Sequence, residues 1–390
     1  MSRREPIYLD HHATTPVDPR VLEAMLPFFS RDFGNPASHG HVFGWRAEAA
    51  VEQGRERLAR AIGAADPREI VFTSGATESN NLALFGALRA RSPARDHLVT
   101  VVTEHRAVLD PARVLEDQGF RVTRLRVDSR GLVDPEDLRA AVDGRTALVS
   151  VMAAHNEIGV LQPLAELAAI AHEAGAWFHT DAAQALGKVP LDVQELGVDL
   201  LSCTAHKLYG PKGVGALYLR GSRPRVRLVP ILHGGGHERG LRSGTLPVPL
   251  IVGFGRAAEI ATLEREAEAR RLRELRERLF RGLSARLGGV HLNGDPERRL
   301  PGNLNVWLEG IRADELIAAM PDVAVSTGSA CTSASGEPSH VLAALGLPRE
   351  RVLGSIRIGL GRFTTAEEVD RAVERIAEEV VRRRALTAVR

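Results

Sequence analysis

Cysteine is scarce: the 390 residues hold two, Cys203 and Cys331. Two thiols cannot build a disulfide framework or a four-thiolate metal site, and the shortage fits a reducing, cytoplasmic compartment. Aromatic residues make up 4% of the chain and the formal charge is +2, with no long run of one sign. Such a chain lacks the basic footprint of a nucleic-acid binder and the charge pattern of a membrane-surface protein. No apolar run reaches the ~18 residues needed to cross a bilayer. The start, Met1-Ser2-Arg3-Arg4-Glu5-Pro6, has no apolar stretch behind its arginines, so no secretory signal is expected.

What is present reads as a soluble globular protein. The 44% hydrophobic and 26% charged fractions are ordinary for such a protein, and the length calls for two domains. Apolar runs expected as strands (97–103, 121–127, 147–152, 177–179, 198–203, 215–219) alternate with helical patterns such as 43–62 and 163–174. That alternation predicts an α/β fold with a mostly parallel sheet. Residues 19–29 also read as helix. A charged helix over 256–287 is the expected connector to a smaller domain with strands at 303–308, 324–326 and 355–359 and a closing helix over 365–384.

Polar clusters fall where the strands end, which is where α/β folds place ligands. Lys207 follows an apolar strand. It is either a surface lysine in a turn or a desolvated amine fit for Schiff-base chemistry. Gly75-Ala76-Thr77 opens a helix after strand residues 70–73; Thr77 and the amides there are either an ordinary cap or a phosphate cradle. His105, Asn156 and Asp181 follow three further strands. His105 is either a helix-capping or surface histidine or a ligand contact. Asp181 is either a helix cap or a partner for a protonated pyridine nitrogen, the second favoured by the gathering of such clusters on one sheet edge. Asn35, between Gly34 and Pro36, is turn chemistry or a ligand contact. His11 and His12 are neighbours on an extended segment and point apart, so no metal site is expected. The glycine-rich basic segment 232–245 suits an anion or a subunit contact. Cys203 lies in an apolar strand and reads as structural. Cys331, in the small-residue loop Gly328-Ser329-Ala330-Cys331-Thr332-Ser333, reads as a reactive thiol on a mobile loop.

The stretches Leu9-Asp10-His11-His12-Ala13-Thr14-Thr15-Pro16, Thr73-Ser74-Gly75-Ala76-Thr77-Glu78-Ser79, Ala205-His206-Lys207 and the Cys331 loop together resemble the cysteine desulfurases of the NifS/IscS type. The resemblance runs over nearly the whole chain, and the loop is like that of the branch with a long persulfide loop. It implies a fold-type-I pyridoxal 5'-phosphate (PLP) enzyme. A large domain (16–255) would carry a seven-stranded-type sheet, and a smaller α+β domain (256–390) would pack against residues 1–15. The reaction implied is L-cysteine to L-alanine, with the sulfur left on Cys331 as a persulfide. Lys207 would bond the cofactor and move the Cα proton, Asp181 would hold the pyridine nitrogen, Gln184 the phenolic oxygen, and His105 would stack on the ring as acid/base.

Ala76, Thr77, Thr204 and His206 would bind phosphate, with Thr245 reaching over from the other subunit of a homodimer. Asn156 and Arg357 would hold the substrate carboxylate, with Asn35 nearby. Implied partners are a sulfur-acceptor protein, such as an iron–sulfur scaffold or a sulfur carrier, without membrane or direct nucleic acid. Cys331 would also ligate a nascent iron–sulfur cluster transiently. A selenocysteine lyase or a class V aminotransferase of the same fold is the alternative; a transaminase has no use for Cys331.

Overall fold

A computed structural model describes residues 5–222, 225–328 and 338–388. Twelve strands run among these residues: β1 Ile7–Tyr8, β2 Ile70–Thr73, β3 His97–Val101, β4 Arg121–Leu125, β5 Thr146–Ser150, β6 Trp177–Asp181, β7 Leu200–Thr204, β8 Gly215–Leu219, β9 Val290–Leu292, β10 Asn303–Leu308, β11 Val323–Ala324 and β12 Ser355–Gly359. Seven of them form one sheet in the order β2-β8-β7-β6-β5-β3-β4. Its pairings are parallel except where β8 runs antiparallel to both β2 and β7.

Both faces of that sheet are covered, which is why its strands read as near-continuous apolar runs. Successive residues alternate between the two faces of the sheet. Phe72, Val99, Val149 and Leu201 pack under the helices Val42–Ala61, Leu164–Glu173 and the first part of Val248–Arg286. Val71, Leu98, Leu148 and Leu200 pack under Ala76–Arg91 and Arg106–Asp117. A separate core gathers β10, β12, the later part of Val248–Arg286 and the closing helix Ala366–Ala388. Ile7 and Leu9 join this second core, and β1 pairs with β11.

Several elements differ from expectation. The long helix begins at Val248, not at 256. Its first turns are mostly buried and apolar through Ala261, apart from Arg256 and Glu259, and the denser charged pattern that the sequence advertises belongs to the later turns. Residues up to Ala261 join the first core and those from Leu272 join the second, so the expected boundary at 255/256 lies inside one continuous helix. The helix expected over 19–29 is two pieces, Pro19–Met25 and Pro27–Ser30, divided where Pro27 has no amide hydrogen to give. The strand expected at 324–326 stops at Ala324, and Ser326 makes only a single bridge, to Arg357.

Candidate active site

The carboxyl ends of the parallel strands open on one cleft of about 520 Å³. After β2 the chain turns through Gly75 into the helix Ala76–Arg91, which has no side-chain cap on its first turn. The turn is tight against β8: a Cβ on Gly215 would stand 2.6 Å from the Gly75 Cα. Glycine at 215 is therefore what lets the two segments close into a cradle. Gly75 itself has φ of 157°, in the region that glycine adopts without strain. Glu78 accepts from the Ser74 amide at 2.7 Å and pairs with Arg242 at 2.8 Å, pinning the turn from outside.

Lys207 follows β7 on a single 3-10 turn, Ala205–Lys207. Its amine donates to the carbonyls of His12 and of Ala13, the latter at 2.7 Å. His206 hydrogen-bonds the Thr14 hydroxyl at 3.1 Å. Burial, then Lys207 and Lys212, pull the His206 pKa down to about 4, so it stands neutral. Thr204 is buried and donates to the Val214 carbonyl at 3.2 Å. On the neighbouring strand β6, Asp181 accepts from the Ala183 amide at 2.9 Å and from Asn80 Nδ2 at 2.7 Å. His105 caps the helix Arg106–Asp117 by accepting the Ala107 amide on Nδ1 at 3.1 Å, which leaves the proton of the neutral ring on Nε2. Burial also lowers its pKa.

Arg357, 1% exposed, lines the same cleft. It donates to Asp10 at 2.6 Å and to the Asn156 carbonyl at 3.3 Å, while its Nε is a buried donor with no acceptor among the described residues.

The cleft thus gathers Ala76, Thr77, His105, Asn156, Asp181, Gln184, Thr204, His206, Lys207 and Arg357. Asn35 is not among them: it is exposed and its Oδ1 accepts the Ala37 amide at 2.9 Å, which is turn chemistry. Thr245 is exposed outside this chain's cleft. Cys331 lies outside the described residues. Cys203 is buried and burial pushes its thiol pKa up, in keeping with a structural role. The paired histidines diverge, His11 to the Gly359 carbonyl and His12 to Gln184.

Sequence reasoning missed four supporting residues: Asn80 behind Asp181, Asp10 behind Arg357, Lys188 behind Gln184, and Glu104. Glu104 is enclosed, accepts the Met152 amide at 2.6 Å, and burial drives its pKa well above the usual carboxylate range. Each lies near a predicted site residue in space but carries no local signal of its own.

These residues fit a phosphorylated pyridine. A glycine cradle with an uncapped helix start suits a dianion at one end of the cleft. A carboxylate held by two donors suits a ring N–H, and the Lys207 amine lines the same cleft.

A family model for class-V aminotransferases matches residues 7–372. The chain belongs to the class-V aminotransferase family. Within it, the chain is 58% identical over 375 residues to the cysteine desulfurase IscS of Anaeromyxobacter dehalogenans, covering 96% of this chain and 92% of that one. A solved NifS-like protein superposes with a TM-score of 0.90 at 40% identity, covering 96% of this chain and 99% of the other. SspA, solved in complex with cysteine, follows at 0.82 and 38%, with coverage of 92% and 100%. By these likenesses this class-V chain is a PLP-dependent cysteine desulfurase with the NifS-like fold.

Proposed function

We propose that the cleft takes L-cysteine, releases L-alanine, and leaves the sulfur on Cys331 as a persulfide. The C–S bond of the substrate breaks, an S–S bond forms, and the thiol proton of Cys331 balances the alanine. The observation that carries this reading is the convergence of Lys207, Asp181 and His105 on one cleft beside the Gly75 cradle.

In this reading Arg357 and Asn156 grip the substrate carboxylate, orienting Cα toward Lys207. Lys207 takes the Cα proton and returns one to the product. Asp181, fixed by Asn80 and the Ala183 amide, accepts the pyridine N–H. Gln184 donates to the phenolic oxygen, and His105 packs on the ring. Ala76, Thr77, Thr204 and neutral His206 hold the phosphate. When bound, pyridoxal phosphate supplies the electron sink for charge developing at Cα.

The partner would be a sulfur-acceptor protein, an iron–sulfur scaffold or a sulfur carrier, in the cytoplasm. Among the described residues no helix is long and apolar enough to cross a membrane. The chain would work as a homodimer, with Thr245 reaching the phosphate site of the other subunit. Two ion pairs support this: Arg242 to Glu78 and Arg55 to the buried Glu238, at 2.7 Å, tie segment 232–245 to its own chain while Thr245 stays exposed.

The test is release of sulfide and alanine from the purified holoenzyme given L-cysteine and a reductant. Equimolar products are expected. Cys331→Ser should retain cofactor and still change absorbance with L-cysteine, yet release almost no sulfide; normal turnover in that variant would sink the persulfide assignment.

A further inference from the structure

Gln184 forms part of the cleft wall, and Lys188 stands behind it, four residues further along the chain. Lys188 lines a separate small cavity with room for about one water, shared with His12 and Glu268. Its amine is enclosed and donates to Gln184 Oε1 at 3.0 Å. His12 Nδ1 meets the same oxygen at 3.2 Å. The other end of the carboxamide, Nε2, donates to the His12 carbonyl at 2.8 Å, an oxygen that also takes the Lys207 amine. A carboxamide nitrogen carries two hydrogens, and the second finds no acceptor among the described residues.

We infer that Lys188 is a positioning residue: its amine draws the Gln184 oxygen away from the cleft, so that an N–H edge faces the cofactor's phenolic oxygen. The reverse orientation would set two carbonyl oxygens, of Gln184 and His12, against each other and leave the ring oxygen facing an acceptor. Burial, and then the neighbouring Lys207, lower the Lys188 pKa to about 7. Protonated or neutral, the amine keeps an N–H for Gln184, so the arrangement holds on both sides of neutrality. Because Gln184 and Lys207 share the His12 carbonyl, Lys188 also bears on the seat of the reactive lysine.

The inference rests on the reading of Gln184 as a cofactor contact, and a double-mutant cycle separates the two. The readouts are the PLP dissociation constant and the visible absorption maximum of the reconstituted holoenzyme. Gln184→Leu should weaken PLP roughly tenfold and move the absorption maximum, as loss of a hydrogen bond to a charged oxygen predicts. Lys188→Met should shift both in the same direction, and the double variant should match Gln184→Leu alone.

If the Lys188→Met effect persists undiminished in the Gln184→Leu background, or if Lys188→Met changes nothing, Lys188 does not act through Gln184 and the inference falls. If Gln184→Leu is silent, the cofactor contact itself is wrong and the inference falls with it. A third variant leaves Lys188 in place should its replacement fail to fold. Gln184→Glu should bind PLP more weakly than Gln184→Leu, because a carboxylate oxygen replaces the N–H; tighter binding than in the leucine variant would mean that the oxygen edge already faces the cleft.

Discussion

Arg357 sits with almost none of its surface in water, yet only part of its fork is used. One Nη donates to Asp10 and the other to the Asn156 carbonyl at 3.3 Å, while Nε has no acceptor among the described residues. A buried guanidinium left with an open donor is costly unless an anion completes it. That favours Arg357 as the carboxylate clamp, with Asp10 fixing its fork. A lysine cannot reproduce the two-pronged contact. Arg357→Lys should therefore raise KM for L-cysteine by roughly 10–100-fold, the worth of one charge-assisted pair, with cofactor binding kept. Steady-state kinetics beside a PLP titration checks this, and an unchanged KM would remove Arg357 from the substrate site.

Residues at this scale divide by how their signals arise. Lys207, Asp181 and His105 were legible because each follows an apolar run that marks a strand end. Asn80 and Asp10 were not, because their partners lie 101 and 347 positions away and only the finished fold brings them together.

Among the elements, the central sheet carries two histidine staples. His179 on β6 reaches Ser150 on β5 at 2.8 Å and Ser202 on β7 at 3.0 Å. His97 on β3 reaches Thr146 on β5 at 3.0 Å and Thr123 on β4 at 2.9 Å. Together they link five adjacent strands by side chains as well as by the backbone ladder. Burial lowers the pKa of His179 to about 3, and burial with the nearby Arg121 lowers that of His97 to about 4.

Below an unfolded value of ~6.5 the unfolded chain binds these protons and the folded chain does not. The stabilisation is therefore complete above that pH and is lost as pH falls toward the folded values. His179 alone should cost about 2 kcal/mol between pH 7 and pH 5 by this linkage. Thermal unfolding followed over that range should show a steeper loss in the native chain than in His179→Gln; parallel curves would mean that the ring does not titrate against folding. The strands were legible as apolar runs, since both faces of the sheet are buried. The staples were hidden, because strand order is not written in any one stretch. The start of Val248–Arg286 was not legible either, because its largely buried first turns lack the charged pairs that marked the later part as helix.

For the whole molecule, the cleft lies among the ends of the main sheet, while Arg357 comes from β12 in the sheet of the second core. Helix Val248–Arg286 runs through both cores and β1 pairs with β11, so the clamp and the lysine are tied into one frame. The outside of that frame is less complete. Leu22, Leu26 and Phe29 repeat at helical spacing and are about half exposed; Phe33, Phe43 and Trp45 follow within a few turns of chain. Phe33 and Phe43 touch with ring centres 5.8 Å apart, so these rings form part of one apolar surface. Large apolar side chains gathered in this way mark a surface that a partner covers.

With Thr245 held out from its own cleft, the second copy proposed above would both cover the surface and complete the phosphate site. Light scattering should give twice the mass of the chain. The pair Phe29→Glu and Phe33→Glu should yield a monomer with native circular dichroism and weaker cofactor binding. Thr245→Ala should weaken the cofactor in a chain that stays dimeric, because the first change removes the neighbour and the second removes only its hydroxyl. A monomeric native chain that binds PLP fully would leave Thr245 without a role and the apolar surface without this explanation.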